Sequence, residues 1–153
     1  MLSDKNFINI ATELATASKC VSKQVGAVIV KDGRILSTGY NGTPAGYTNC
    51  VDHWDDQYTS EHHEWSKTYE IHAEMNAIYN ASLTGVSLRD STLYVYGLPI
   101  CNECAKGIIQ CGIKKVVATR PTEYNGAWDK SIKGAEALFK EAEVIYLIDV
   151  EEE

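Results

Sequence analysis

From Ile71 to Val150 the sequence alternates between helix-period and strand-period segments, and this alternation constrains the fold more than any other feature. Ile71–Leu83 sets Met75, Ile78 and Tyr79 on one helical face, with Gly85 just beyond as a stop. Thr92–Tyr96 reads as a strand, and Cys101–Cys111 as a helix ending at Gly112. Lys115–Thr119 reads as a strand, Ser131–Ala142 as a helix and Val144–Val150 as a last strand. Strands joined through helices run parallel, by right-handed crossovers, and the helices cover the sheet faces. Upstream, Phe7, Ile10, Ala11, Leu14 and Ala15 place an amphipathic helix within residues 4–18. Val25–Val30, the Asp32-Gly33 turn and Arg34–Thr38 make a hairpin. The expected architecture is a three-layer α/β/α fold around a central five-stranded mixed sheet, in one domain over residues 1–153.

Between the hairpin and Ile71 the pattern fails. Residues 39–50 (GYNGTPAGYTNC) read as a long loop, and residues 50–70 fit no regular element. The tail Glu151–Glu153 reads as solvated. The net charge of −7 argues against polynucleotides and anionic membranes, which require surplus cations. It leaves room for a small anionic substrate held by two or three local cations. No apolar run approaches the roughly 18 residues of a membrane helix, and the N-terminus lacks a signal-peptide core, so the protein reads as cytoplasmic. Five cysteines, an odd number, in a reducing compartment point to metal ligation or catalysis rather than disulfides.

Two motifs open predicted helices: His72-Ala73-Glu74 and Cys101-Asn102-Glu103-Cys104. Cysteines three apart in a first turn point the same way. A helix N-terminus stabilises their thiolates. One imidazole and two thiolates make a zinc site with an open fourth position, the pattern of catalytic zinc. Glu74 stands roughly 200° around the helix from His72, so it suits an acid/base beside the open position better than a ligand. Taken alone, Cys101 and Cys104 also suit a thioredoxin-like redox pair, and His72 a helix cap or a surface position.

With the intervening helix–strand unit, the two motifs match the zinc-deaminase signature His-x-Glu…Pro-Cys-x-x-Cys. HAEMNAI at 72–78 and PICNECAKGIIQCGIKKVV at 99–117 resemble the zinc-dependent nucleotide deaminases. VGAVIVKDGRILSTGYNGTPAG at 25–46 resembles deoxycytidylate (dCMP) deaminases, including the phage type, and the resemblance runs from about Ser18 to Trp128. One departure is visible: Pro99 comes one residue early, and Ile100 stands immediately before the first cysteine.

The resemblance implies a cytidine-deaminase-like fold and hydrolysis of dCMP to dUMP and ammonia. His72, Cys101 and Cys104 would hold Zn²⁺. Glu74 would move the proton of an activated water to N3 and then toward the leaving amine. Ala73 would let the backbone approach the base, or serve as an ordinary helix alanine. Lys23, Arg120 and, less favoured, Lys19 are candidate phosphate donors, each with a plain surface charge as its alternative. Asn41 would meet a sugar hydroxyl, or else be a turn residue chosen for positive φ. Gly39, Tyr40, Asn41 and Gly42 would contribute to an effector site at a subunit interface of a homohexamer. There dCTP would activate and dTTP inhibit, with Mg²⁺ on the phosphates.

Phage members also imply a second, structural zinc, and Cys20, Cys50, His62 and Glu70 stand at the matching positions. The alternative leaves Cys20 in the core and His62 and Glu70 solvated. Cys111 reads as buried filler, and His53 and His63 as exposed. The competing functions are a deaminase of dCTP, cytidine or a base in RNA, a thiol–disulfide oxidoreductase, and a zinc-stabilised binding module. The last of these needs a fourth protein ligand, for which Cys111 is the only nearby thiol.

Overall fold

The computed structural model describes residues 1–54, 60–120 and 129–150. The expectation for the tail 151–153 lies outside these residues. The chain begins with α1 (Asp4–Ala15), started by a reciprocal cap. The Asn6 N–H donates to Ser3 Oγ at 3.2 Å, and the Ser3 N–H to Asn6 Oδ1 at 2.8 Å. The hairpin follows as β1 (Gly26–Lys31) and β2 (Arg34–Tyr40). Asp32 at φ 53° and Gly33 at φ 76° form the left-handed pair that a two-residue turn requires.

Residues 50–54 and 60–69, expected to be irregular, form two helices, α2 (Cys50–Trp54) and α3 (Ser60–Tyr69). The local pattern is polar, and a ring cluster replaces the missing apolar stripe. His53 stacks on Trp65 at 4.9 Å, Trp54 meets Trp65 edge-on at 6.1 Å, and Tyr47 stacks on Tyr69 at 5.1 Å. The remainder follows the expected order: α4 (Ala73–Thr84), β3 (Thr92–Tyr96), α5 (Asn102–Gln110), β4 (Lys115–Arg120), α6 (Asp129–Glu141) and β5 (Ile145–Val150).

The five strands form one mixed sheet in the order β2-β1-β3-β4-β5. β1 runs antiparallel to both β2 and β3, while β3, β4 and β5 run parallel. Side chains of β1 alternate between two cores. Val28 and Val30 join Phe7, Ile8 and Ala11 of α1 on one face. Ala27 and Ile29 join residues of α4, α5 and α6 on the other. This is the three-layer arrangement read from the sequence.

α4 buries the alanine stripe Ala73, Ala77 and Ala81 most deeply; of the expected face, Met75 and Ile78 pack partly buried against the core, while Tyr79 is 49% exposed. Close approach to β2 selects the small side chains. A Cβ on Gly39 would collide with the α4 backbone at Ala73 and Ala77.

Candidate metal centre and its surroundings

The topology gathers most of the predicted site residues at one sheet edge. β3 and β4 end there, β1 starts opposite Tyr96, and β2 ends at Tyr40. In open α/β sheets this carboxyl edge is where sites are built.

His72 and Cys101 are the N-caps of α4 and α5, both with extended backbone. The His72 ring makes no capping bond. Its Nδ1 instead lies 3.3 Å from Cys104 Sγ and 3.4 Å from Cys101 Sγ. Tetrahedral zinc with ordinary Zn–N and Zn–S bonds would hold such atoms about 3.6 Å apart, so the trio fits an ion with adjustments of a few tenths of an ångström. Cys101 Sγ also accepts the Cys104 N–H at 3.4 Å, the helix N-terminus supporting a thiolate. Among the described residues no fourth His, Cys, Asp or Glu joins the group. Cys111, half-buried, turns its Sγ to the Ile108 carbonyl at 3.4 Å.

Contacts within the trio shift its titrations. The Cys104 thiol, with His72, draws Cys101 down to about 4. The bond to Cys101 raises Cys104 and brings His72 up to about 9. Glu74 is 4% exposed, and burial pushes its carboxyl up to about 7, partly opposed by His72. It lies outside the ligand cluster, as its angular offset on α4 predicts.

Cys20, Cys50, His62 and Glu70 form a second cluster. Cys50 Sγ lies 3.0 Å from His62 Nε2, and Cys20 Sγ 3.5 Å from Glu70 Oε1. His62 is 1% exposed, not solvated, and Glu70 Oε2 is buried without a hydrogen-bond partner. Burial pushes Cys50 up to about 12 and raises Cys20. Four ligand atoms within 4.8 Å of one another, beside an unpartnered carboxylate oxygen, form a donor set that a cation would complete. The two clusters share a backbone connection. Ile71, between Glu70 and His72, pairs with Gly42, at 2.7 Å for Ile71 N–H to Gly42 O and 3.1 Å for the reverse.

Asn41 departs from one of its two sequence expectations, that of a turn residue chosen for positive φ. Its backbone is not left-handed. The residue is 8% exposed, and its side chain clamps the segment before β1: Oδ1 accepts the Val25 N–H at 2.9 Å, and Nδ2 donates to the Lys23 carbonyl at 2.8 Å. Ala73 is fully buried against β2, and Tyr40 is 43% exposed.

Lys23 lines a polar pocket of about 400 Å³ with Thr16, Ser22, Gln24, Tyr96 and Thr119, and no residue of the His72 cluster lines it. Arg120 ends β4 half-buried, and Lys19 is exposed. His53 is exposed as expected, but His63 is half-buried. Two features escaped sequence reading. One is the α3 stripe of His62, Trp65 and Tyr69, whose three- and four-residue steps were legible. The other is Tyr146, whose hydroxyl accepts the Ile100 N–H at 3.0 Å, a contact no local pattern announces.

Residues 1–120 match the family model of the cytidine and deoxycytidylate deaminase zinc-binding region. The deoxycytidylate deaminase of Enterobacteria phage T4 is 39% identical over 162 aligned residues, covering 84% of this chain and 83% of the relative. That of Homo sapiens is 43% identical over 113 residues, covering 72% and 61%. The crystal structure of dCMP deaminase from the cyanophage S-TIM5 in complex with dCMP and dUMP superposes with a TM-score of 0.73. It is 29% identical and covers 94% of both chains. Two helix-capping motifs, one imidazole against two thiols and a match over most of the sequence agree: the chain belongs to the zinc-binding cytidine and deoxycytidylate deaminase family.

Proposed function

We propose that the protein is a zinc-dependent dCMP deaminase, hydrolysing dCMP to dUMP and ammonia. The observation that carries this reading is His72 Nδ1 set against both Cys101 and Cys104, with no fourth protein ligand among the described residues. A zinc-stabilised binding module would need that fourth ligand. A thiol–disulfide pair gives no account of an imidazole against both sulfurs.

His72, Cys101 and Cys104 would hold the ion, which would supply Lewis acidity that makes a water nucleophilic at neutral pH. Glu74, buried beside the trio with its carboxyl near 7, would take a proton from the attacking water and deliver it to N3 of cytosine. The new C4–O bond forms, the C4–N bond breaks, and a proton passed through Glu74 lets the amine leave as ammonia. Ala73 gives the base room, and Arg120, at the carboxyl edge, is the favoured phosphate donor. Lys23, in its separate pocket, is the second candidate.

Cys20, Cys50, His62 and Glu70 hold a structural zinc that ties α2 and α3 to the segment before β1. The Gly39–Gly42 loop contributes to an effector site where dCTP activates and dTTP inhibits, with Mg²⁺ on the phosphates. The subunits assemble as a homo-oligomer, a homohexamer by family resemblance. Leu83, 84% exposed, and Ile145, 57% exposed, offer apolar surface for such contacts. The enzyme would act in the cytoplasm on free nucleotides.

The test offers dCMP, dCTP, deoxycytidine and cytidine in parallel and follows ammonia, with and without added dCTP or dTTP. Turnover of dCMP above the others supports the reading. Turnover of dCTP alone moves the substrate, and turnover of none removes the activity.

A further inference from the structure

Ile100 stands where the zinc-deaminase signature has proline, and the exchange adds a polar atom to a dry place. Proline lacks an N–H and fixes its own φ. Ile100 brings an N–H into a position where the residue is 0% exposed. That N–H donates to the hydroxyl of Tyr146 at 3.0 Å. The tyrosine is itself held. Its backbone pairs with Val116 in the β4–β5 ladder. Its ring packs edge-on against the buried Phe139, with centroids 4.8 Å apart.

We propose that Tyr146 is a positioning residue for the metal centre, its hydroxyl fixing the backbone immediately before Cys101 in place of the ring of proline. The inference rests on reading His72, Cys101 and Cys104 as the zinc site. Cys101 is both the N-cap of α5 and a ligand, so one backbone conformation (φ −84°, ψ 163°) must serve the helix and aim Sγ at His72. The residue before it is the lever on that conformation. Without the hydroxyl, the buried Ile100 N–H finds a partner only if the loop moves, and the sulfur moves with it.

Tyr146→Phe removes the hydroxyl and keeps the ring. Zinc-loaded protein is mixed with excess chelator, and zinc release is timed. The phase belonging to this site is the one that Cys104→Ala abolishes. Tyr146→Phe should speed that phase about tenfold, the size of one lost hydrogen bond. In an Ile100→Pro chain, which has no N–H to satisfy, the same substitution should change it less than about twofold.

Should Ile100→Pro fail to fold, hydrogen exchange of the zinc-loaded protein gives the second reading. The Ile100 amide should exchange about tenfold faster in Tyr146→Phe. The Ala105 amide, bonded to the Cys101 carbonyl at 3.0 Å, should be unchanged. Unaltered zinc release, or equal acceleration with and without Ile100→Pro, overturns the proposal alone. A parent chain that holds no zinc on Cys104 overturns the functional reading and this proposal with it.

Discussion

Asn41→Ala separates two roles for the residue that follows β2. In the structure its amide joins the segment entering β1 to the loop leaving β2, through Val25 N–H at 2.9 Å and the Lys23 carbonyl at 2.8 Å. The Val25 residue is 6% exposed. Leaving its N–H unpaired costs about 1–3 kcal/mol, and water cannot readily replace the lost oxygen. The Lys23 residue is half-exposed, so its carbonyl rehydrates, and that bond adds only about 0.5–1.5 kcal/mol. Together they predict about 2–4 kcal/mol of lost stability. For a chain of this size that lowers the melting temperature by about 5–15 °C. The assay is thermal unfolding at fixed zinc, paired with kcat and KM for dCMP at a temperature where both chains are folded. A melting temperature within about 1 °C of the parent, with a raised KM, would refute the clamp and return Asn41 to sugar recognition.

Glu74→Gln keeps the size and hydrogen-bonding reach of the side chain but cannot carry the proton. It should retain its zinc by elemental analysis and lose about 10²- to 10⁴-fold in kcat; a variant near parental turnover would remove Glu74 from the chemistry. Cys50→Ala should lower the zinc content from two per chain to one and loosen α2 and α3, seen as faster amide exchange there, and unchanged zinc content would remove the second site. Tyr94 donates to Asp4 Oδ1 at 2.6 Å, and burial, then Asp4, holds its hydroxyl above the usual tyrosine range. A phenol raised on folding contributes stability that is complete below about pH 10 and is lost as pH rises beyond it. Urea unfolding from pH 8 to 11 should therefore show a steeper alkaline decline in the parent than in Tyr94→Phe, and equal slopes would contradict the linkage.

The sheet and its helices were legible because each segment carries its period in its own residues. The Asp32-Gly33 turn, the Gly85 stop and the Cys101 cap mark boundaries that the structure reproduces within a few residues. The first metal cluster was legible for a related reason: each half is local, and the fold only has to bring two helix starts together. What escaped was mostly non-local. Helices α2 and α3 pack through a ring cluster and a Cys/His/Glu set, so the local signal was the His62, Trp65 and Tyr69 spacing on α3, carried by residues that aliphatic periodicity does not weigh. The alanine face of α4 answers to Gly39, on another element. Asn41 and Tyr146 act through backbone groups 16 and 46 residues away, distances over which side-chain spacing carries no signal.

The most direct test is a crystal structure of the protein grown with zinc and no nucleotide, with anomalous scattering recorded at the zinc edge. The ion should be bound by His72 Nδ1 at about 2.0–2.1 Å and by Cys101 and Cys104 Sγ at about 2.3 Å, with solvent as the fourth ligand. An ion whose fourth ligand is another side chain, or His72 turned away from both sulfurs, would contradict this.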